Sequence, residues 1–352
     1  MTLQPMKTER SSSKASIESR IGLSLRSLVF LLPWALIPLL ASPYLTTTFI
    51  NIMIYAVLAL SWDLIAGYYR LGIISFAHAG LFGLGGYSSG LLAVYLGISP
   101  FIGIFVGGLT AAVFSLLLGI VALRFTGRFN LYYIVVSLGM SNVLQLVWIN
   151  QVNITHGTTG LVLPPLFYTS NYLLGGALNY YAVLALLVAL ILTIAYIGRS
   201  PLGYAIRAIY EDEITAATIG VNVNRTKILG IMIGGAFAGL AGGLYVHVTQ
   251  AVGPDLGGRY YMLLVFMMAY AGGSGSIAGP ILGALLWTGI YEGLGQIRPF
   301  LTSFEWFARF APYFQTFVLT LIFLVILTFV GWRGIWGTVG EKIKSVLKIR
   351  DS

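Results

Sequence analysis

A chain of 352 residues that is 58% hydrophobic and only 9% charged cannot hide its apolar surface as a soluble domain, and reads as a polytopic membrane protein. Its net charge of +9 does not point to nucleic acid, because Lys and Arg sit in short blocks between apolar runs and form no basic face. With no cysteine, disulfides, thiolate nucleophiles and thiolate metal sites are excluded.

Residues 1–27 are Ser-rich and basic and read as a disordered cytoplasmic tail. The apolar run from Leu28 to Leu40 follows this long tail and lacks a small-residue cleavage site. It reads as a first membrane helix rather than a signal peptide. Apolar spans then fall near 28–44, 46–66, 71–97, 101–123, 130–150, 177–197, 228–249, 259–273, 276–295 and 313–331. Most approach the ~20 residues that a helix needs to cross hydrocarbon. The eighth is short, so the eighth and ninth can instead form a re-entrant hairpin. The expected fold is an all-α polytopic integral membrane protein with about ten transmembrane helices, or eight plus that hairpin. The permease-like membrane domain covers 28–337, and a basic tail covers 338–352.

Both counts are even, so both put the termini on one side. Five Lys or Arg lie in the N-tail, Arg70 stands alone, Arg124 and Arg128 form a pair, four lie in 199–227 and five in the C-tail. Ten spans place these seventeen on the same face, which is then the cytoplasm. Arg259, Arg298 and Arg309 fall on the other face. The 26-residue loop from Gln151 to Gly176 has no Lys or Arg, as an external loop should.

The stretch Arg199–Lys227, RSPLGYAIRAIYEDEITAATIGVNVNRTK, is the long polar interruption of the second half. Ser200 followed by Pro201 is an N-cap and a first-turn proline, so a helix is predicted from there to about Tyr210. Asp212 caps a second helix, with Glu213 in its first turn, and Gly220 is its stop. Glu213, Ala216, Ala217 and Gly220 share one face by spacing. A face with one carboxylate and small residues lets another protein come close; a solvated loop between two membrane helices fits the same features.

Glycines recur four apart inside the spans, at Gly86/Gly90, Gly103/Gly107, Gly235/Gly239/Gly243 and Gly275/Gly279/Gly283. That spacing lets helix backbones touch in lipid. Two segments are also interrupted by Gly and Ser: GIISFAHAGLFGLGGY at 72–87 and AGGSGSIAGP at 271–280. They occupy the third span of each half, and broken helices in matching positions often flank a transport path. Asp63, His78, His247 and Glu292 are the ionisable residues within spans. Asp63 is expected to snorkel to the cytoplasmic interface. His78 reads either as path lining or as a satisfied core histidine. No phosphate-binding loop, H-E-x-x-H motif or nucleophile elbow occurs, so the chain is not expected to be an enzyme or to hydrolyse ATP.

These blocks resemble a family. Ala59–Gly67 with residues 72–87, the loop THGTTG at 155–160 with Pro164 and Pro165, the stretch Arg199–Lys227, GGSGSIAGPILG at 272–283 and GWRGIWG at 331–337 occur in the order and spacing of branched-chain amino acid ABC importer permeases of the LivM type. The resemblance covers roughly 45–337. Ala77, Asp63, Tyr204 and Gly331-Trp332 depart from the family pattern, and urea and short-amide permeases share nearly the same motifs. The resemblance implies a multi-pass subunit of the cell membrane, bathed in lipid. It would form a pore with a homologous second permease, two cytoplasmic ABC ATPase subunits would bind the Arg199–Lys227 loop, and an extracytoplasmic solute-binding protein would deliver the solute. It would bind no cofactor and no nucleic acid, ATP being hydrolysed by the partner subunits. The ATPase-coupling loop would comprise Glu211, Asp212, Glu213, Ala216, Ala217 and Gly220. The translocation pathway would draw on Ser75, His78, Gly83, Tyr87, Gly272, Ser274, Ser276 and Pro280. A permease for urea or short amides, and a stand-alone secondary carrier or channel, are the alternative readings.

Overall fold

The computed structural model describes residues 33–69, 71, 73–124, 131–303, 310–330 and 334–336. Both polar tails, residues 28–32 of the first span, Arg70, Gly72, Arg128, Arg309 and residues 331–333 and 337 of the closing motif lie outside the described residues.

A turn of 3-10 helix, Pro33–Leu36, leads into α1, Ile37–Leu40. The chain then breaks at Ala41, whose backbone is extended. Ser42 caps α2, Pro43–Asp63, and its side chain accepts from the Leu45 N–H. The first two spans therefore part at 41–42. α2 widens into a π turn, Leu64–Tyr68. The third span differs more from expectation. Residues 71–77 are not α-helical where described, and α3 covers only His78–Leu96. α4 is Pro100–Arg124, α5 Leu131–Asn150, and a short α6 Val152–Thr155. α7 is Tyr172–Arg199, followed by α8, Pro201–Glu211, and α9, Glu213–Thr218. α10, Val223–Thr249, precedes α11, Arg259–Gly272, α12, Ala278–Thr302, and α13, Ala311–Val330. Among the described residues, six helices are long and apolar enough to cross a membrane: Pro43–Tyr68, His78–Leu96, Pro100–Leu123, Tyr132–Asn150, Leu173–Arg199 and Val223–Thr249.

Glycines set the centre. A Cβ on Gly85 of α3 would strike the Gly239 carbonyl of α10, and one on Gly107 of α4 would strike the Gly85 carbonyl. One on Gly242 would strike the Phe82 carbonyl. Three backbones thus touch where any side chain would part them, which is how helices associate without a hydrophobic drive between them. α2 joins this block where Gly234 meets the Ser61 carbonyl and Ile65.

α11 has 14 residues, a rise of about 21 Å, which is short of the ~30 Å hydrocarbon core. It turns back at Gly273 and Gly275, both with positive φ (120° and 91°), into α12. The two helices lie backbone to backbone: a Cβ on Gly272 would strike the Gly279 carbonyl, and one on Gly283 the Met268 carbonyl. The tip rests on Asp63, close to where α2 meets Gly234. Gly234 lies eleven residues into α10, about 16 Å from its cytoplasmic end. The short rise of α11 fits the hairpin better than a full crossing.

On the outer side, β1 (Leu161–Val162) pairs antiparallel with β2 (Ala251–Val252). His247, fully buried, fixes the same loop: its Nδ1 lies 2.9 Å from the Pro164 carbonyl and its Nε2 2.9 Å from the Ser89 hydroxyl. A carbonyl only accepts, so Nδ1 carries the proton, and in the neutral ring Nε2 accepts from Ser89.

Replacing Gly242 by Leu forces α3 and α10 apart, and overpacking of this kind costs about 1–3 kcal/mol or more. A fall in the melting temperature of the detergent-purified protein is expected. Gly139→Ala is expected to leave it unchanged, because nothing lies within 4 Å of the added methyl. Equal melting of the two variants would contradict the close-contact role.

Candidate functional site

The helix pair α8–α9 forms where local sequence chemistry predicts it. The Ser200 hydroxyl accepts from the Gly203 N–H at 3.3 Å, with Pro201 in the first turn. Asp212 Oδ1 accepts from the Thr215 N–H at 2.6 Å. Gly220 takes φ +92°, and the Val221 N–H closes the end on the Ala216 carbonyl at 3.0 Å. α8 buries Gly203, Ile206 and Ile209 against the protein. Arg207 donates to the Gly198 carbonyl (3.0 Å) and lies over the Tyr204 ring.

The outward face differs from the predicted one. Ala216 is buried and faces the protein body, while Glu211, Asp212, Ala217 and Gly220 are exposed. The apolar surface shown to the cytoplasmic side is instead Tyr210, Ile214 and Ile219, the last 71% exposed. Glu213 does not simply face outward. Its carboxylate takes both oxygens to the Lys227 ammonium, at 2.8 and 2.9 Å, and the Lys227 side chain is only 4% exposed. A buried ammonium needs its partner far more than a surface one does. Glu213 therefore ties α9 to the foot of α10.

The two interrupted segments come together on consecutive residues of α2. The Trp62 indole N–H donates to the Ser75 carbonyl at 2.7 Å. Asp63 accepts from the Ser274 hydroxyl at 2.5 Å and from the Gly275 N–H at 2.9 Å. Asp63 is fully buried, so it does not snorkel; its two oxygens hold the hairpin tip as hydrogen-bond acceptors. Gly67, one turn on, leaves the room: a Cβ there would strike both Asp63 Oδ1 and Ser274 Oγ. Phe266 of α11 completes the contact, edge-on to Trp62 (5.7 Å) and tilted against Phe76 (6.2 Å).

The other predicted pathway residues divide. Ser75 is buried and its hydroxyl accepts from Tyr133 at 3.4 Å, while the Phe76 N–H donates to Ser137. The Ser276 hydroxyl accepts from the Gly279 N–H (2.9 Å) and caps the start of α12, beside buried Gly272 and Pro280. His78 opens α3, is 2% exposed, and neither ring nitrogen has a hydrogen-bond partner among the described residues. Gly83 and Tyr87 lie further along α3 and serve Trp148: a Cβ on Gly83 would meet its ring, and Tyr87 stacks on it at 4.5 Å. Glu292 accepts from the Tyr44 hydroxyl at 3.0 Å and joins α12 to α2. Trp62, Tyr133, Phe266 and the pairing of Lys227 are absent from the sequence reading, since each acts across elements and leaves no local pattern.

Asp63→Leu leaves the Ser274 hydroxyl and the Gly275 N–H unpaired, at about 1–3 kcal/mol each. The expected outcome is a marked loss of thermal stability in detergent. Asp63→Asn keeps an acceptor and should lie close to the parent. Equal loss in both would locate the role in charge rather than in pairing.

Residues 44–329 match the profile of a family described as the branched-chain amino acid transport system permease component. The chain is 31% identical over 258 residues to the high-affinity branched-chain amino acid transport system permease protein LivM of Escherichia coli (strain K12), a match covering 66% of this chain and 60% of the relative. It is 31% identical over 264 residues to LivH of the same strain, covering 69% and 82%. It is 27% identical over 258 residues to BraD of Pseudomonas aeruginosa, covering 68% and 81%. The chain thus spans about 60% of the length of the LivM relatives it matches. No solved structure matches it.

Proposed function

This chain belongs to the family of branched-chain amino acid transport permeases, a multi-pass membrane family, and from that premise we propose that it is the membrane-spanning permease subunit of an ATP-binding-cassette importer of branched-chain amino acids. The observation that carries the reading is the capped pair α8–α9, which offers Tyr210, Ile214 and Ile219 at the cytoplasmic face while Glu213 anchors it to α10. A subunit that carries no ATPase motif needs such a handle, because the driving force must arrive from outside the chain.

The parts form a mechanical train. Two ATPase subunits close on ATP and shift α8–α9 as a rigid body. The Glu213–Lys227 pair passes the shift to α10. α10 moves α3 and α4 with it, because their backbones are in contact through Gly85, Gly107 and Gly239. α2 follows at Gly234, and its Trp62 and Asp63 carry the two interrupted segments. A second permease supplies the other wall of the path, and an external binding protein delivers the solute to the outer loop. ATP is hydrolysed by the partner subunits and no cofactor is held here.

Two results are expected. Purification in mild detergent followed by mass spectrometry should recover an ATPase and a second permease with this chain. Accumulation of leucine by the single purified chain in liposomes, driven by an ion gradient without ATP, would sink the importer reading. In the assembled transporter, Glu213→Lys should cut ATP-driven leucine uptake at least tenfold with the protein still in the membrane. Adding Lys227→Glu should restore most of it, since the swapped pair re-forms the tie. Unaltered uptake in Glu213→Lys would count against α9 as the handle.

A further inference from the structure

α5 and the start of α11 carry polar side chains at a depth where a lipid-facing surface carries none. Asn142, Gln145 and Arg259, with Leu146, line a cavity of about 460 Å3. Gln145 and Asn142 lie five and eight residues short of Asn150, the outer end of α5, and so about 8 and 12 Å below it. The chain from Pro254 to Arg259 is pinned at that depth. The Ser141 hydroxyl donates to the Gly257 carbonyl (3.0 Å), and Gly257 packs on the Trp148 ring. Asp255 and Arg259 are both exposed, and among the described residues neither forms an ion pair. Around them α5 exposes Val143, Leu146 and Val147.

Ionised groups at such depth face a partner or a water-filled cavity and mark a path. An arginine reaching only for the membrane surface has no need of two amides beside it. A further polar group waits nearby: the Tyr87 hydroxyl is buried, has no hydrogen-bond partner among the described residues, and lies within range of the Asp255 charge. We propose that this cavity is the outer station of the solute path, where Arg259 receives the carboxylate of an amino acid. The proposal rests on the importer reading above. The chemistry matches a carboxylate-bearing solute with an apolar side chain. The guanidinium fork pairs with a carboxylate through two parallel bonds, Gln145 offers an amide donor and acceptor, Asn142 offers its amide oxygen while its nitrogen donates to the Leu138 carbonyl, and Leu146 is the apolar wall. Urea, with no charged group, gives Arg259 only a neutral carbonyl acceptor.

The test uses the assembled transporter in proteoliposomes, and the absence of native cysteine makes this chain a clean background for single cysteines. Gln145→Cys is treated from outside with the anionic, membrane-impermeant reagent sulfonatoethyl methanethiosulfonate, and labelling is read as a mass shift of this chain. It should label at least tenfold faster than Leu109→Cys, on the exposed apolar surface of α4. Labelling no faster than Leu109→Cys overturns the proposal. Arg259→Gln should lower uptake of labelled leucine at least tenfold with the complex intact in the membrane, and Arg259→Lys should recover part of it. Uptake within twofold of the parent in Arg259→Gln overturns the carboxylate assignment. Equal loss in Gln and Lys variants, with slow labelling of Gln145→Cys, assigns Arg259 a structural role and also overturns it. If the parent transports no leucine, the amino acid importer reading fails, and the labelling arm still decides whether the cavity holds water.

Discussion

Inside hydrocarbon, a backbone N–H or C=O without a partner costs several kcal/mol, so non-helical chain survives at that depth only where protein satisfies it. This molecule carries two such stretches, 73–77 and 273–277, and answers both from one turn of α2. Trp62 reaches the carbonyl of Ser75, and Asp63 reaches the hydroxyl of Ser274 and the N–H of Gly275. Neighbouring residues on a helix point about 100° apart, so two adjacent side chains can serve two segments that approach α2 from different sides. The broken segments are thus held relative to each other through a single helix.

That arrangement divides the interior into parts with different stiffness. α3, α4 and α10 touch backbone to backbone and cannot slide without clashing. The hairpin α11–α12 is equally tight within itself, through Gly272, Gly279 and Gly283. Between these two bodies the polar connections include the Asp63 carboxylate, acting through α2, and the Tyr245–Tyr261 hydroxyl pair at 3.0 Å, beside the rings of Trp62, Phe266 and Tyr270. Hydrogen bonds to a carboxylate can be exchanged for others at modest net cost, whereas interlocked backbones cannot. In the proposed importer, relative motion of the two bodies would exchange these hydrogen bonds rather than part the interlocked backbones.

What the sequence shows and what it hides follow from range. The caps of α8 and α9 are legible because Ser200, Asp212 and Gly220 act within three residues of themselves. Span parity and the Lys/Arg blocks are legible because they report on the bilayer, not on partners. The glycine spacing announces close helices but not which ones. The fate of Asp63 is hidden because its partner Ser274 is 211 residues away; read locally, a carboxylate near a helix end looks like a group bound for water. Ala216 faces inward because α9 leans on the body of the protein, which spacing alone does not reveal. α3 starts late because residues 73–77 find side-chain partners on α2 and α5, so an apolar run that looks helical has no need to be. Arg259, placed by parity on the external face, sits below the outer end of α5 because the chain dips back into the membrane after β2, a detour without any compositional mark.

α10 is fastened at both extremities. Near its foot Lys227 is bound to Glu213, and near its crown His247 is bound to Pro164, with β1 stapled to β2 just beyond. Twenty residues separate these fastenings, about 30 Å of unbroken helix. Thermodynamic reciprocity then applies to the two faces of the membrane. If nucleotide binding inside reshapes the outer loop, a protein settling on that loop must favour nucleotide binding by an equal factor. In the proposed importer, a loaded courier outside would thereby be felt by the motor inside before any solute has moved.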